Sequence, residues 1–192
     1  MKINNEEDVI QSIKEDEWMM DILKAVKTLN LPDWWICAGF VRSKIWDVIH
    51  NYNWRTPLPD IDVIYFDTNN VCEAEEEKIE ENLKTIITSI PWSVKNQARM
   101  HTKSGMTPYS SSVDGISNFP ETVTSLGVKI NENDDVILTA PWGVDDVVNL
   151  EVRPTPVYDT KERREFYIHR VITKNWSEKW DRLKVYGIPT SK

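Results

Sequence analysis

The feature that most limits the fold is a short ordered series between residues 34 and 66. Trp34-Trp35-Ile36-Cys37-Ala38 is a brief apolar run that reads as a buried strand. Gly39 ends it. Val41, Ile45, Val48 and Ile49 then recur at helical spacing, so a helix opens directly after the glycine. A loop with Pro57 and Pro59 follows, and Asp60-Ile61-Asp62 enters a second strand that runs to Phe66. A strand that turns through one glycine into a helix and returns as another strand needs a sheet with helices laid on it.

The rest of the chain supplies matching parts. Trp18, Met19, Ile22, Leu23, Val26 and Leu29 form one apolar stripe of an amphipathic helix, stopped by Asn30 and Pro32. Ile79, Leu83, Ile86, Ile87 and Ile90 mark another helix, ended by Pro91. Six glutamates between Glu73 and Glu81 suit its positive N-terminal end as a solvated first turn. Trp92 to Ala98 reads as a strand, and Gly105 to Pro120 as a long loop of the length at which loops tend to be functional. Val123 to Ile130 and Asp135 to Ala140 flank a polar turn and predict a hairpin. Pro141 to Asp146 is a turn leading into a short helix or a strand that ends at Arg153, and Pro154 and Pro156 mark a boundary. Thr160 to Leu183 predicts one helix or a pair. The expected class is α/β (α+β): a mixed β-sheet with flanking helices over residues 1–156, and a basic helical extension, 157–192, packed on the same domain.

Charge narrows the partners. The 192 residues hold 23 Lys plus Arg and 31 Asp plus Glu, a net of −8, which disfavours an extended nucleic-acid track. The mean conceals an acidic body, 14 basic against 27 acidic residues through Thr160, and a segment from Lys161 to Lys184 with 8 basic and 4 acidic. Lys192 adds a last positive charge. Nine tryptophans call for large buried aromatic contacts or an aromatic groove. Trp176 and Trp180 suit packing on the core better than stacking on bases. No stretch reads as a signal peptide or a membrane span, and two cysteines, Cys37 and Cys72, suit a reducing cytoplasm. Neither zinc-type spacing nor a P-loop or dinucleotide glycine fingerprint is present.

The chemistry lies in the ordered series. A glycine before a helix lets a phosphate approach the backbone, and the helix N-terminus offers N–H groups. Two carboxylates two residues apart on a strand point the same way, so Asp60 and Asp62 can hold divalent metal ions. Those are the parts that phosphoryl and nucleotidyl transfer require. Lys95, Arg99 and His101 form a basic cluster suited to a triphosphate or an acidic acceptor, although His101 equally suits a hydrogen-bonded structural role.

The stretch AGFVRSKIWDVIHNYNWRTPLPDIDVIYFD resembles the DNA polymerase β-like nucleotidyltransferase superfamily. It looks most like the head of CCA-adding and poly(A) polymerases, which read Gly-Gly-x-Val-Arg-Asp and then Asp-x-Asp. KNQARMH at Lys95 to His101, NFPET at Asn118 to Thr122 and APWGVDD at Ala140 to Asp146 are similar to a small bacterial nucleotidyltransferase-like family of unsettled substrate. The resemblance implies that Asp60 and Asp62 ligate two Mg²⁺ and that Gly39 approaches the triphosphate of an NTP. It also implies that Arg42 contacts phosphate or nucleobase, a residue that equally suits a salt bridge. Two departures stand out. Phe40 takes the place of a second Gly or a Ser, and the strand Trp92 to Ala98 holds no acid where a third carboxylate is usual, with Asn96 at that place. Glu121, Asp145 and Asp146 are the candidates for the missing acid. The expected activity is Mg²⁺-dependent transfer of an NMP from an NTP to a hydroxyl of unknown identity, on a small molecule, protein or RNA. The alternative is a weak or inactive nucleotide-binding or regulatory module on the same fold.

Overall fold

The computed structural model describes residues 2–189. Among the described residues there are eight helices and seven short strands. Helices α1 (Glu6–Lys14) and α2 (Glu17–Lys27) each begin at a side chain that caps the first turn, Asn5 for one and Asp16 for the other. Strand β1 (Trp35–Cys37) passes through Ala38 into α3 (Gly39–Ile49), and β2 (Ile61–Tyr65) follows the proline loop. Next come α4 (Glu73–Ile86), β3 (Trp92–Asn96), α5 (Gln97–Ser104) and α6 (Ser112–Ser117). The hairpin is β4 (Gly127–Ile130) and β5 (Val136–Thr139), followed by α7 (Asp145–Val148) and β6 (Glu151–Val152). The chain closes with α8 (Arg164–Lys174), a 3₁₀ turn at Trp176–Glu178 and β7 (Lys184–Val185).

Five strands form one mixed sheet in the order β3-β2-β1-β4-β5, in which only the β2–β3 pair is parallel. The expected mixed sheet with flanking helices is therefore the architecture found. Residues alternate faces along each strand. Ile36, Ile61, Val63, Trp92, Val94 and Val128 look into the main core, where the helical stripe of Met19, Ile22, Leu23 and Val26 meets them. The other face carries Trp35, Cys37 and Ile64, covered by Ile116, Val113 and Phe119. Asp62 pairs in register with Cys37 on one side and Ser93 on the other, so it belongs to this second face.

Three expectations change. The strand after Pro91 stops at Asn96, whose side chain accepts from the Ala98 N–H and starts α5. The loop from Gly105 holds helix α6, capped by Ser111. The glutamate run is more than a solvated first turn, because two of its members cover the sheet's edge strand. Glu76 is buried and accepts from the Asn96 N–H at 2.8 Å, and Glu80 accepts from the Val94 N–H at 2.9 Å. Those N–H groups would otherwise lie open on an edge strand.

The C-terminal segment packs closely on the body. Trp176 and Trp180 are buried, and their rings lie 5.8 and 5.0 Å from that of Trp46. The Trp180 Nε1–H donates to Asp47 Oδ1 at 2.9 Å. They are core residues, the role the sequence favours for them. Tyr167 donates to the carbonyls of Val152 and Tyr186, joining α8 to the β6–β7 pair. Trp34, Trp35, Trp46 and Trp92 are buried as well. Cys37 and Cys72 are both free thiols. Among the described residues no helix is long and apolar enough to cross a membrane. The charge of Lys192 lies outside the described residues.

Candidate nucleotidyl-transfer site

The turn from β1 into α3 is built on a strained residue. Ala38 has φ 54° and ψ −113°, a region that favours glycine, and its N–H donates to the Leu126 carbonyl at 2.9 Å. Holding a non-glycine residue there costs about 1–3 kcal/mol. No side chain caps α3, so its first-turn N–H groups remain available to an anion. Phe40 points away from this opening, 2 % exposed with its ring 5.9 Å from that of Trp18. This corrects the alignment of the glycine pair. Matching Val41-Arg42 to the Val-Arg of the pattern puts Ala38 and Gly39 under the two glycines and Phe40 under the variable position. The departure is therefore a methyl group at Ala38, and Phe40 adds no bulk to the phosphate site.

Arg42 lies one turn into α3, beneath Gly39. A Cβ at Gly39 would stand 3.6 Å from Arg42 Nη2, ordinary contact, so the glycine keeps a thin cover over the guanidinium. Arg42 is 7 % exposed, with its guanidinium carbon 4.4 Å from the Trp176 ring centre and 5.1 Å from that of Trp46. Nη2 donates weakly to Ser43 Oγ at 3.4 Å, and Nε has no partner among the described residues. It makes no salt bridge there either. Burial lowers its pKa to about 10, against the opposing pull of Glu121, Asp62 and Asp60.

Asp60 ends the proline loop and is exposed, while Asp62, on β2, is largely enclosed. Burial first, and the neighbouring Asp60 second, raise the Asp62 pKa from 3.8 to about 6. Arg170, Lys174 and a hydrogen bond from Ser93 act the other way. Two oxygen-donor side chains with charge left uncompensated by the protein fit a hard divalent cation.

Two cavities meet at this point. The smaller, about 360 Å³, lies over Gly39, Arg42, Asp60 and Asp62, with Lys174 and Lys179 on the opposite wall. The larger, about 700 Å³, runs over the sheet from Cys37, Asp62 and Ile64 towards Lys95, Gln97 and Phe119. Ala38, Asp62 and Arg170 line both. Burial beside Asp62 and Asp60 raises the Cys37 thiol well above its ordinary pKa, so it is a neutral floor.

The other expected site residues are dispersed. Lys95 lines the larger cavity and pairs with Glu76 and Glu80 at 3.5 Å. Asn96 is fully buried on the opposite face, spent on the Asp67 N–H and the carbonyls of Asp67 and Asn70. The parallel register places Ser93, rather than Asn96, beside Asp62. His101 sits on α5 against Tyr109, outside both cavity linings. Arg99 leaves the basic cluster, because Glu76 takes both its Nε at 2.7 Å and its Nη2 at 2.6 Å.

No third carboxylate joins the pair. Among the described residues no group of three His, Cys, Asp or Glu side chains converges as a metal site. Glu121 is fully buried, accepting from Arg170 Nε and Thr124 Oγ1 at 2.8 Å each. Asp146 accepts from Thr122 and faces Arg153, and Asp145 lies exposed at the start of α7. Glu121 therefore anchors Arg170 in the wall of the site. Arg170, Lys174 and Lys179 were hidden in a generally basic tail. The signal was present in part in the spacing, since Phe166, Arg170 and Lys174 fall at i, i+4 and i+8 on one face of α8, with Arg163 at its N-cap.

Comparison with known proteins agrees with this geometry. Residues 24–185 match the model of a family described as nucleotidyltransferase. The chain belongs to that nucleotidyltransferase family. A structure solved by NMR and described as revealing a CCA-adding enzyme head domain is 36 % identical, covering 95 % of this nucleotidyltransferase and 96 % of its own chain at a TM-score of 0.83. A CCA-adding enzyme in complex with CTP aligns over 96 % of this chain at 14 % identity and a TM-score of 0.59. The Thermotoga maritima CCA-adding enzyme complexed with tRNA aligns over 96 % at 14 % identity and 0.56. These two share the fold, and the present chain spans 44 % and 43 % of their lengths. No curated protein sequence matches the chain.

Proposed function

We propose that this nucleotidyltransferase moves an NMP from an Mg²⁺-bound NTP to a hydroxyl acceptor, in the cytoplasm. The observation that carries the reading is the opposition across one small cavity. Asp60 and Asp62 hold uncompensated negative charge on one side, and Arg42, Lys174 and Lys179, each without a carboxylate partner among the described residues, hold positive charge around the rest. A metal–triphosphate complex carries both signs and complements both sets. Asp60 and Asp62 would hold Mg²⁺, which supplies charge neutralisation and orientation for an in-line displacement. The open N-terminus of α3 and the lysines receive the phosphates, and Arg170 stands where the two cavities join. In the reaction the acceptor oxygen bonds to the α-phosphorus, the α–β phosphoanhydride bond breaks, pyrophosphate leaves and the hydroxyl proton passes to solvent.

A second reading, a module that binds Mg·NTP without transfer, is favoured by one observation, the absence of a third converging carboxylate among the described residues. One experiment separates the two. Purified protein is incubated with Mg²⁺, α-labelled NTPs and an extract of small molecules and RNA, beside an Asp60→Asn/Asp62→Asn variant. Label transferred by the wild type and lost in the variant is the expected result. Mg·NTP binding without transfer selects the second reading, and transfer that survives in the variant refutes the site.

A further inference from the structure

The triphosphate is placed in the smaller cavity alone, and the larger one also opens onto Asp62. We propose that it is the acceptor pocket and that its occupant is a single nucleoside or nucleotide, bound by its ring and offering a sugar hydroxyl at Asp62. The proposal rests on the transfer reading above. At about 700 Å³ the cavity lies within the roughly 300–1,000 Å³ usual for sites that enclose one small molecule.

Its polar specificity comes from Gln97. This side chain lines the cavity and is only 3 % exposed, yet no group among the described residues hydrogen-bonds its carboxamide. Its carboxamide packs against α6, where a Cβ built on Gly115 would fall 2.5 Å from Gln97 Oε1, so only glycine leaves room for it there. A carboxamide carries one acceptor and two donors, the kinds of group that pair with a nucleobase edge. The walls supply faces for a ring: Tyr109, Phe119, Tyr158 and Phe166, the last 56 % exposed with its ring 5.6 Å from that of Tyr158.

Charge restricts the class further. The lining holds Lys95, Lys103, Arg163 and Arg170 against Asp62 and Glu162, but Lys95 pairs with Glu76 and Glu80 and Arg170 with Glu121, so the pocket suits a neutral nucleoside better than a cation such as an amino sugar. A long polynucleotide would also need a cationic track beyond the pocket. The basic groups in and around the pocket are instead engaged, Arg99 by Glu76, Lys103 by Glu73 and Arg163 by the carbonyls of Ser104 and Gly105.

The test reads binding, without catalysis. The ¹⁵N-labelled full chain is titrated with adenosine, guanosine, cytidine and uridine in Mg²⁺-free buffer and followed by two-dimensional NMR. At least one nucleoside is expected to shift the Gln97 side-chain amide and the backbone of Phe119 and Tyr158. Gln97→Leu, which keeps the volume, is expected to weaken that binding at least tenfold. Phe166→Ala, at an exposed position, should weaken it severalfold. Mg²⁺ with α,β-methylene-ATP should add its own shifts near Gly39 without displacing the nucleoside. The proposal fails if none of the four binds, if the shifts gather around Gly39 and Lys179, or if α,β-methylene-ATP competes. The last result would make this the pocket of the NTP's own base. Tenfold tighter binding of a mixed-sequence RNA 12-mer would also overturn it, in favour of a polymer. Nucleoside binding in a protein that neither binds nor transfers from Mg·NTP would leave the pocket standing and sink the transfer reading alone.

Discussion

Replacing Asp62 by asparagine should make the protein more stable while ending its function. In the folded chain, burial and Asp60 hold the Asp62 carboxyl at about 6, against an ordinary value of 3.8. Between those two pH values the native state binds more protons than the unfolded state, so the group's contribution to stability falls as pH rises. Below pH 3.8 the contribution costs nothing, and above pH 6 the full cost is present. Multiplying the difference by 1.36 kcal/mol per pH unit gives about 3 kcal/mol as an upper figure. Asparagine keeps the volume, removes the charge and can still bond Ser93, so about 1–3 kcal/mol should be recovered at pH 8.

Urea unfolding at pH 8.0 and pH 4.0, with EDTA present, measures this directly. The variant should exceed the wild type at pH 8.0 and lose most of that advantage at pH 4.0. Adding Mg²⁺ at pH 8.0 should stabilise the wild type and leave the variant unmoved. A variant less stable than wild type at pH 8.0 would mean that Asp62 carries no electrostatic cost, and the reasoning on the pair would fail.

Ala38→Val should cost about 2 kcal/mol or more by forcing a β-branched side chain into a positive-φ turn, while Ala38→Gly should change urea stability by less than about 1 kcal/mol, because released strain offsets the lost methyl group and the greater freedom of glycine. Glu121→Ala should cost about 3 kcal/mol, the low end for a broken buried pair, since Arg170 can partly re-solvate. The same change should weaken Mg·NTP binding in calorimetry, because Arg170 is then unanchored. Trp180→Phe should cost about 1–2 kcal/mol in urea by removing the donor to Asp47, which keeps its two bonds from Thr56.

How far each part could be read from sequence follows how local its cause is. The turn at Gly39, the helix after it and Asp60-Ile61-Asp62 depend on neighbours within a few residues, and all were visible. The predicted strand ran on through Gln97 and Ala98, the first two residues of α5, because Asn96, which ends β3, also caps that helix. The place of a third acid depended on strand register. Only the parallel pairing of β2 with β3 shows that Ser93 faces Asp62 while Asn96 faces the other way. Glu76 looked like one glutamate among six, and its burial under Asn96 and Arg99 is a contact across 20 residues or more. Arg170 reaches Glu121 across 49 positions, a pairing that no spacing rule could supply.

Two charges beside the turn at Gly39 explain why it is built at a loss. Asp62 holds a carboxyl that the fold prefers to protonate, and Arg42 holds a guanidinium with an unpartnered Nε and a lowered pKa. A direct salt bridge between them would relieve both, yet none forms. Trp46 and Trp176 hold the guanidinium beneath Gly39, on the helix side of the turn, while β2 holds Asp62 on the sheet. Ala38 adds backbone strain at the hinge between them. Such a set is stable only because the rest of the core over-determines it, through the aromatic packing of α3 and the capped sheet edge. A ligand presenting a cation to Asp62 and phosphate oxygens towards the α3 N-terminus and Arg42 satisfies both groups at once. The cost therefore lies where binding recovers it, which ties the stability of the turn to the occupancy of the site.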